Sequence, residues 1–173
     1  MIKNLTPEKC ILLLEKIGCS NEVIKHCKSV RDLAVIIANK ANADVNLVEL
    51  GALLHDIGRS KTHDIDHAIE GVKIAKKYGL SSKIIKIIER HIGAGISKEI
   101  AKKLGLPPKD YMPLSLEEKI VCHADNLIDN CRRQKIEYEI EKALINDQKE
   151  YAIKLVKLHN ELSKKCGIDL NNL

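Results

Sequence analysis

Leu47-Val48-Glu49-Leu50-Gly51-Ala52-Leu53-Leu54-His55-Asp56-Ile57-Gly58-Arg59 runs from an apolar helical segment straight into an adjacent histidine and aspartate. Neighbouring helical residues point about 100° apart. Both side chains can therefore reach one ion only if the helix ends there and the backbone turns, which Gly58 permits. The pair reads as part of a metal site at a helix end. His26 upstream and His67, His91 and Asp125 downstream each lie in, or at the end of, a segment with helical spacing.

Nearly every segment of the chain shows helical rather than alternating periodicity. A first helix takes Thr6 as N-cap, Pro7 at its first position and Glu8 in its first turn, and stops at Gly18. A short second helix starts near Ser20 and leads through His26 into a longer one, with His26, Val30, Ala34 and Ile37 on one face. Further helices are expected at Asn46 to His55, Asp66 to Tyr78, Ser81 to His91, Ser97 to Leu104 and Ser115 to about Cys131, with a last one from about Gln148 to Cys166. Asp56 to Ile65, Leu106 to Pro113 and Arg132 to Tyr138 read as irregular. The expectation is an all-α helical bundle forming a single domain over residues 1–173, with its site-bearing part at about 21–130 and the last helix packing on it.

The 173 residues are 45% hydrophobic and 31% charged, enough for one domain with a real core. No run of about 18 apolar residues offers a membrane span, and Met1-Ile2-Lys3-Asn4-Leu5-Thr6-Pro7 lacks the apolar stretch of a signal peptide, so a cytoplasmic protein without a membrane partner is expected. The six cysteines have no zinc-knuckle or redox spacing and read as reduced thiols. The net charge of +5 is spread as lysines over many helices, and the aromatics are four Tyr without Phe or Trp, which argues against a nucleic-acid polymer as partner. A positive balance does favour a small phosphorylated substrate, because focused potential concentrates anions.

Each candidate ligand also has a structural explanation. His67 sits in the first turn of its helix, where the dipole keeps imidazole neutral as a ligand must be, the structural alternative being an N-terminal surface histidine. His91 closes its helix beside Gly93-Ala94-Gly95 and taken alone would be a C-terminal dipole partner. Asp125 borders an apolar stripe of Ile120, Ala124, Leu127 and Cys131, where an unpaired carboxylate is costly and a cation resolves the cost. His123 falls on the opposite border, a supporting or structural residue rather than a ligand. His159 reads as a packed histidine and His63 as a loop residue within reach of a substrate.

The order His26, His55-Asp56, His67, His91, Asp125, with His26-Cys27-Lys28-Ser29-Val30, Leu53-Leu54-His55-Asp56-Ile57-Gly58 and Ala124-Asp125, resembles the HD-domain superfamily of metal-dependent phosphohydrolases over about Asn21 to Asn130. His26, His55, Asp56 and Asp125 match the family's four-residue core. His67-Ala68-Ile69-Glu70-Gly71 and Glu89-Arg90-His91-Ile92-Gly93 resemble members that hold two metals, such as bacterial diadenosine tetraphosphate hydrolases. In overall character the chain is similar to small archaeal HD proteins, among them an iron-dependent phosphodiesterase acting on a pterin 2′,3′-cyclic phosphate. The absence of a GYP motif and of a sensor domain speaks against cyclic di-GMP.

That resemblance implies a ligand set and a chemistry. His26, His55 and Asp125 would hold one divalent ion, His67 and His91 a second, and Asp56 would bridge them. Two ions roughly 3.5–4 Å apart would share a hydroxide and grip the phosphate for in-line attack. Asp56, Arg59 and Lys61 form the expected catalytic set, Arg59 and Lys61 neutralising phosphate charge, with Arg132 or Arg133 as weaker candidates and ordinary loop surface as their bland reading. Imidazole and carboxylate donors suit Fe, Mn, Co, Ni or Zn rather than Ca, and the resemblance favours Fe or Mn. Three functions stay open: hydrolysis of a nucleotide-like or pterin phosphate, a mononuclear nucleotidase-type phosphomonoesterase in which His67 and His91 contact substrate, and a non-catalytic binding module.

Overall fold

Ser20 caps α2, its hydroxyl accepting the Val23 N–H, and the helix then runs unbroken from Asn21–Ala41 until Asn42 turns it off in a left-handed conformation. The computed structural model describes residues 5–173. Met1–Asn4, part of the stretch read above for a leader, lie outside the described residues. Ahead of α2 lies α1 (Pro7–Lys16), capped by Thr6. After it come α3 (Val45–Leu54), a 3-10 turn (Ile57–Ser60), α4 (His67–Lys77), α5 (Ser82–Arg90), α6 (Lys98–Lys103) and α7 (Leu116–Asn126). A two-residue hairpin, β1 (Ile128–Asp129) and β2 (Arg132–Arg133), leads to α8 (Ile136–Ile145), α9 (Lys149–Cys166) and a closing 3-10 turn (Leu170–Asn172). The all-α class expected from the periodicity is the class observed.

Three expectations are corrected. The short helix before His26 and the longer one after it are a single α2. The helix expected to continue from Ser115 to about Cys131 ends at Asn126, and Cys131, expected on its apolar stripe, is exposed at the hairpin tip. The physical reason lies in Asn126 and Asn130. The Asn126 amide donates to the Cys122 and Gly93 carbonyls at the last turn, and Asn130 adopts φ 45°, a conformation asparagine tolerates. Arg132 to Tyr138, read as irregular, contains β2 and the start of α8. That helix takes its polarity from Glu137 and Glu139 in the first turn and buries Ile136 and Ala143.

Apolar packing falls into two large clusters that share α2 and α3. One joins them to α7, α8 and α9 through Val30, Ile37, Val48, Ile120, Leu155 and Leu162. The other joins them to α1, α4 and α5 through Leu14, Cys27, Leu54, Ile57, Ala75 and Ile88. A fully buried isoleucine contributes about 1.5–3 kcal/mol, so α5, whose Ile84, Ile87 and Ile88 are nearly inaccessible, is held chiefly by one face. Glycines set how close these helices come. A Cβ on Gly51 would lie 2.5 Å from Ile87 Cδ1, and one on Gly58 would lie 1.8 Å from the His67 carbonyl oxygen and 2.5 Å from the Gly71 nitrogen. The turn after His55-Asp56 is thereby pressed backbone to backbone against the first turns of α4.

Because the atoms facing Gly58 are main chain and cannot swing aside, Gly58→Ala is expected to cost more than about 4 kcal/mol, the exceptional end of the range for point substitutions. Gly18→Ala, at φ 85° with nothing within 4 Å, is expected to cost only about 1–2 kcal/mol of backbone strain. Urea denaturation of both variants reads the difference. Equal losses would show that the Gly58 contact does not restrain the fold.

Candidate metal centre

Four of the six candidate ligands are delivered by helix ends and a fifth lies one residue from one. His55 caps the C-terminus of α3, with Asp56 one residue on, and His91 caps the C-terminus of α5. His67 opens α4, Asp125 is the penultimate residue of α7, and His26 lies in the second turn of α2. Residues from both apolar clusters surround them: Cys27, Leu54, Ile57 and Ile88 from one, Val30, Ala94 and Ala124 from the other. His55, Asp56, His67 and His91 are buried, while His26 and Asp125 are partly open to solvent.

The rings are aimed by their own backbone. His55 Nδ1 donates to the Ala52 carbonyl, His67 Nδ1 to that of Asp64 and His91 Nδ1 to that of Ile88, each at 2.7 Å and each three residues back. A carbonyl only accepts, so each Nδ1 carries the proton, and in the neutral ring each Nε2 presents a lone pair to the interior. The consequence is sharpest at His67 and His91, whose Nε2 atoms face each other at 3.0 Å. Two lone pairs at that distance repel unless a positive charge lies beside them.

Asp56 divides its carboxylate between the two sides of the cluster. Its Oδ1 lies 3.2 Å from His67 Nε2 and 3.4 Å from His91 Nε2, and its Oδ2 lies 3.6 Å from His55 Nε2 and 3.9 Å from His26 Nε2. Asp125 Oδ1 completes the second side, 2.9 Å from His26 Nε2 and 3.5 Å from His55 Nε2. Asp56 Oδ1 and His55 Nε2 are buried without a hydrogen-bond partner. Such orphaned donor atoms are costly in a protein interior and are what a cation would satisfy. The groupings His26–His55–Asp125 and His55–Asp56–His91 each bring their ligand atoms within 4.8 Å of one another. The donor set, imidazole and carboxylate with no thiolate, suits a transition-metal ion.

Electrostatics point the same way. Burial would lower the His55 pKa, but the Asp56 carboxylate, with Cys27 and Asp125 behind it, outweighs burial and raises it well above the usual imidazole value. Burial would raise the Asp56 pKa, yet the surrounding histidines, His55 foremost, hold it well below the carboxylate range. Asp125 is lowered too, burial being overcome by His55 and His26. His91 is pushed down, burial being the main cause. The Asp56 and Asp125 carboxylates thus keep their charge, and their field favours a positive charge among the rings, whether a proton on His55 or a cation.

The remaining candidates separate. Arg59 Nε donates to Asp56 Oδ2 at 2.5 Å and lines, with His26, Asp56 and His63, a cavity of about 490 Å³ that opens onto the cluster. Lys61 is exposed and outside that lining. Arg132 and Arg133 line a different cavity, and Arg133 donates to the Leu170 carbonyl. His123 Nε2 meets His159 Nδ1 at 3.0 Å, and His159 Nε2 meets Asp169 Oδ1 at 3.0 Å, a buried tie between α7, α9 and the C-terminal turn. Burial lowers the His123 pKa to about 3, so it stays neutral.

Several contributors carry no sequence signal that the ligand pattern reveals. The Gly93 carbonyl receives Asn126 Nδ2 at 2.7 Å and Cys122 Sγ at 2.9 Å, and the Tyr151 hydroxyl donates to Asn126 Oδ1 at 3.4 Å or to Glu139 Oε1 at 3.2 Å. The loop after His91 is therefore braced from α7 and α9. Ser20, Lys25, Asp129 and Asn130 line the open cavity. Only Asn126 and Lys25, each adjacent in sequence to a candidate ligand, could have been suspected.

Residues 23–129 match the family model HD domain, more than half of the chain, and the protein belongs to that family. Among its relatives, it is 46% identical over 164 residues to a tRNA (cytidine(56)-2′-O)-methyltransferase of Thermoplasma volcanium, covering 95% of this chain and 48% of that protein. An uncharacterized protein of Methanocaldococcus jannaschii is 52% identical over 140 residues, covering 78% of this chain and 82% of that one. A Ribonuclease Y of Acidothermus cellulolyticus is 38% identical over 71 residues, 40% of this chain and 14% of that protein. The chain spans about half the length of the methyltransferases it matches. Among solved structures, the HD domain of the L. monocytogenes phosphodiesterase PgpH superposes with a TM-score of 0.56 at 20% identity, over 89% of this chain and 94% of that one, and shares the fold. No helix among the described residues is long and apolar enough to cross a membrane.

Adding Mn²⁺ at about 100 times its Kd to chelator-treated protein should stabilise it by about 2.7 kcal/mol, raising Tm by about 5–10 °C for a chain of this size. Asp56→Ala should abolish that rise. A thermal scan with and without metal checks both, and an unchanged Tm in the parent protein would remove the cluster as a cation site.

Proposed function

We propose that this protein is a metal-dependent phosphohydrolase that cleaves a small, nucleotide-like phosphate ester. The observation that carries this reading is the opposed pair of His67 and His91 Nε2 lone pairs, 3.0 Å apart, beside a buried carboxylate that offers one oxygen to each side of the cluster. On this reading His26, His55 and Asp125 would hold one divalent ion and His67 and His91 a second, with Asp56 available to both. Iron or manganese fits the donors, with cobalt, nickel or zinc compatible. When bound, a pair of such ions lowers the pKa of water and polarises a phosphoryl group.

The chain's own residues supply the rest. The three Nδ1 bonds to backbone fix the tautomers of His55, His67 and His91 in advance, so none of those rings has to reorient when substrate arrives. Arg59 holds the Asp56 carboxylate through its Nε and keeps that charge in place. The cavity of about 490 Å³ lies in the range of small-ligand sites. Leu54, Ile57 and Ile88 exclude water from the inner side of the cluster.

The names of the relatives support a nucleotide-like substrate. Two of them are tRNA methyltransferases about twice as long as this chain, and others are Ribonuclease Y. We infer that methyl transfer belongs to the half of those proteins that this chain does not span. An HD domain joined to a tRNA-modifying half favours a phosphate on a ribose over one on a pterin. Cytoplasmic action on a soluble small molecule completes the proposal.

Elemental analysis of protein purified without oxygen should find about two transition-metal ions per chain, together with metal-dependent hydrolysis of bis(4-nitrophenyl) phosphate. His67→Ala should remove about one ion and cut the rate by more than about 100-fold, beyond the 10–100-fold typical of outer partners. One ion in the parent protein would favour the mononuclear phosphomonoesterase. No ion after reconstitution would make the protein a binding module.

A further inference from the structure

We propose that Lys25 anchors the outward-facing anionic oxygen of the substrate's phosphate group, an inference that rests on the phosphohydrolase reading above. Lys25 follows the N-terminus of α2 by four residues, precedes His26, and lines the cavity over the cluster. Two side chains with a permanent positive charge line that cavity, Lys25 and Arg59. Arg59 is committed: its Nε holds Asp56 Oδ2 at 2.5 Å and its Nη1 reaches the His63 carbonyl at 3.4 Å. Withdrawing it would leave the most buried carboxylate of the cluster without its cation.

Lys25 has no such obligation, for among the described residues it forms neither a hydrogen bond nor an ion pair within 4 Å. The acidic groups near it are already engaged. Glu22, one turn back, is held below the usual carboxylate range first by its own backbone N–H and then by the Ser20 hydroxyl, Lys25 contributing less. Across the cavity, Asp129 Oδ2 accepts from Asn130 Nδ2 at 3.1 Å. A phosphate seated on the cluster turns some oxygens towards the ligands and leaves at least one facing the cavity. That oxygen meets an unpaired ammonium and the positive end of a 21-residue helix. A lysine suits this position because its flexible stem lets one point charge follow an oxygen that moves as the ester bond breaks. Arg59 is then a positioning residue for Asp56, and Lys25 the binding residue for substrate.

The test uses the full-length protein loaded with Mn²⁺, comparing the parent with Lys25→Ala and Lys25→Arg. Calorimetric titration with inorganic phosphate, kinetics on bis(4-nitrophenyl) phosphate and metal content are measured on each. Lys25→Ala is expected to weaken phosphate binding and raise KM by about tenfold, the worth of one charge-assisted hydrogen bond. Its kcat should fall less than about threefold and its metal content should not change; Lys25→Arg should recover most of the affinity. Phosphate binding as tight in Lys25→Ala as in the parent, or a loss of metal in place of a rise in KM, would overturn the inference, as would a parent protein that does not bind phosphate. A parent that binds phosphate but hydrolyses no ester would sink the phosphohydrolase reading, while the phosphate titrations would still decide the role of Lys25.

Discussion

A carboxylate that stays charged while almost wholly buried is the constraint from which this molecule is built. Asp56 is 2% exposed, and an unpaired buried charge of that kind is among the costliest things a fold can contain. The protein meets the cost by surrounding it. His55, His67 and His91 close three sides, His26 lies beyond Oδ2, and Arg59 reaches in from the open edge. Remove any of these and the charge loses a partner while remaining out of reach of water. The converging helix ends and the glycine contact behind the His55-Asp56 turn all serve to bring those partners within 4 Å.

That arrangement also explains why most of the candidate ligands sit at helix termini. A side chain in mid-helix is fixed to one stripe of a cylinder, whereas a terminal residue can turn off the axis towards a common point. α3 and α5 end with histidines and α4 begins with one, each using a nearby carbonyl to orient its ring. The carbonyls of Ala52 and Ile88, left without helical partners at the ends of α3 and α5, are satisfied by the same bonds. Capping the helix and aiming the ligand are therefore a single interaction.

Much of this was legible from residue spacing. His55-Asp56 before Gly58 marked a helix end, the apolar steps around His26 and Asp125 placed both at the rim of a core, and the caps Thr6, Ser81, Ser97 and Ser115 located four helix starts within a residue. What escaped depends on contacts distant in sequence. Asn126 ends α7 partly through the Gly93 carbonyl, 33 residues away. The hairpin after it is braced where the Ser29 hydroxyl donates to the Cys131 carbonyl, 102 residues away. α8 was missed because its start alternates like a strand, Ile136-Glu137-Tyr138-Glu139-Ile140. Packing against α9 settles what that local pattern leaves ambiguous. The role of Tyr151 is invisible in the same way, since nothing near it in the chain announces Asn126 or Glu139.

The repeated Nδ1 bond has a further consequence. Because the His55, His67 and His91 rings answer to their own backbone, those three donors do not depend on one another for direction, and the separation between the two sides of the cluster is left to hydrophobic volume. Ile57 and Ile88 lie where a Cβ on Gly71 would come within 3.3 Å and 2.7 Å of their side chains, so they act as spacers between α4 and its neighbours. Trading methyl groups at those spacers would change the separation with every candidate donor atom in place. That control lies in oily residues, and a comparison restricted to the six candidate ligands would overlook it.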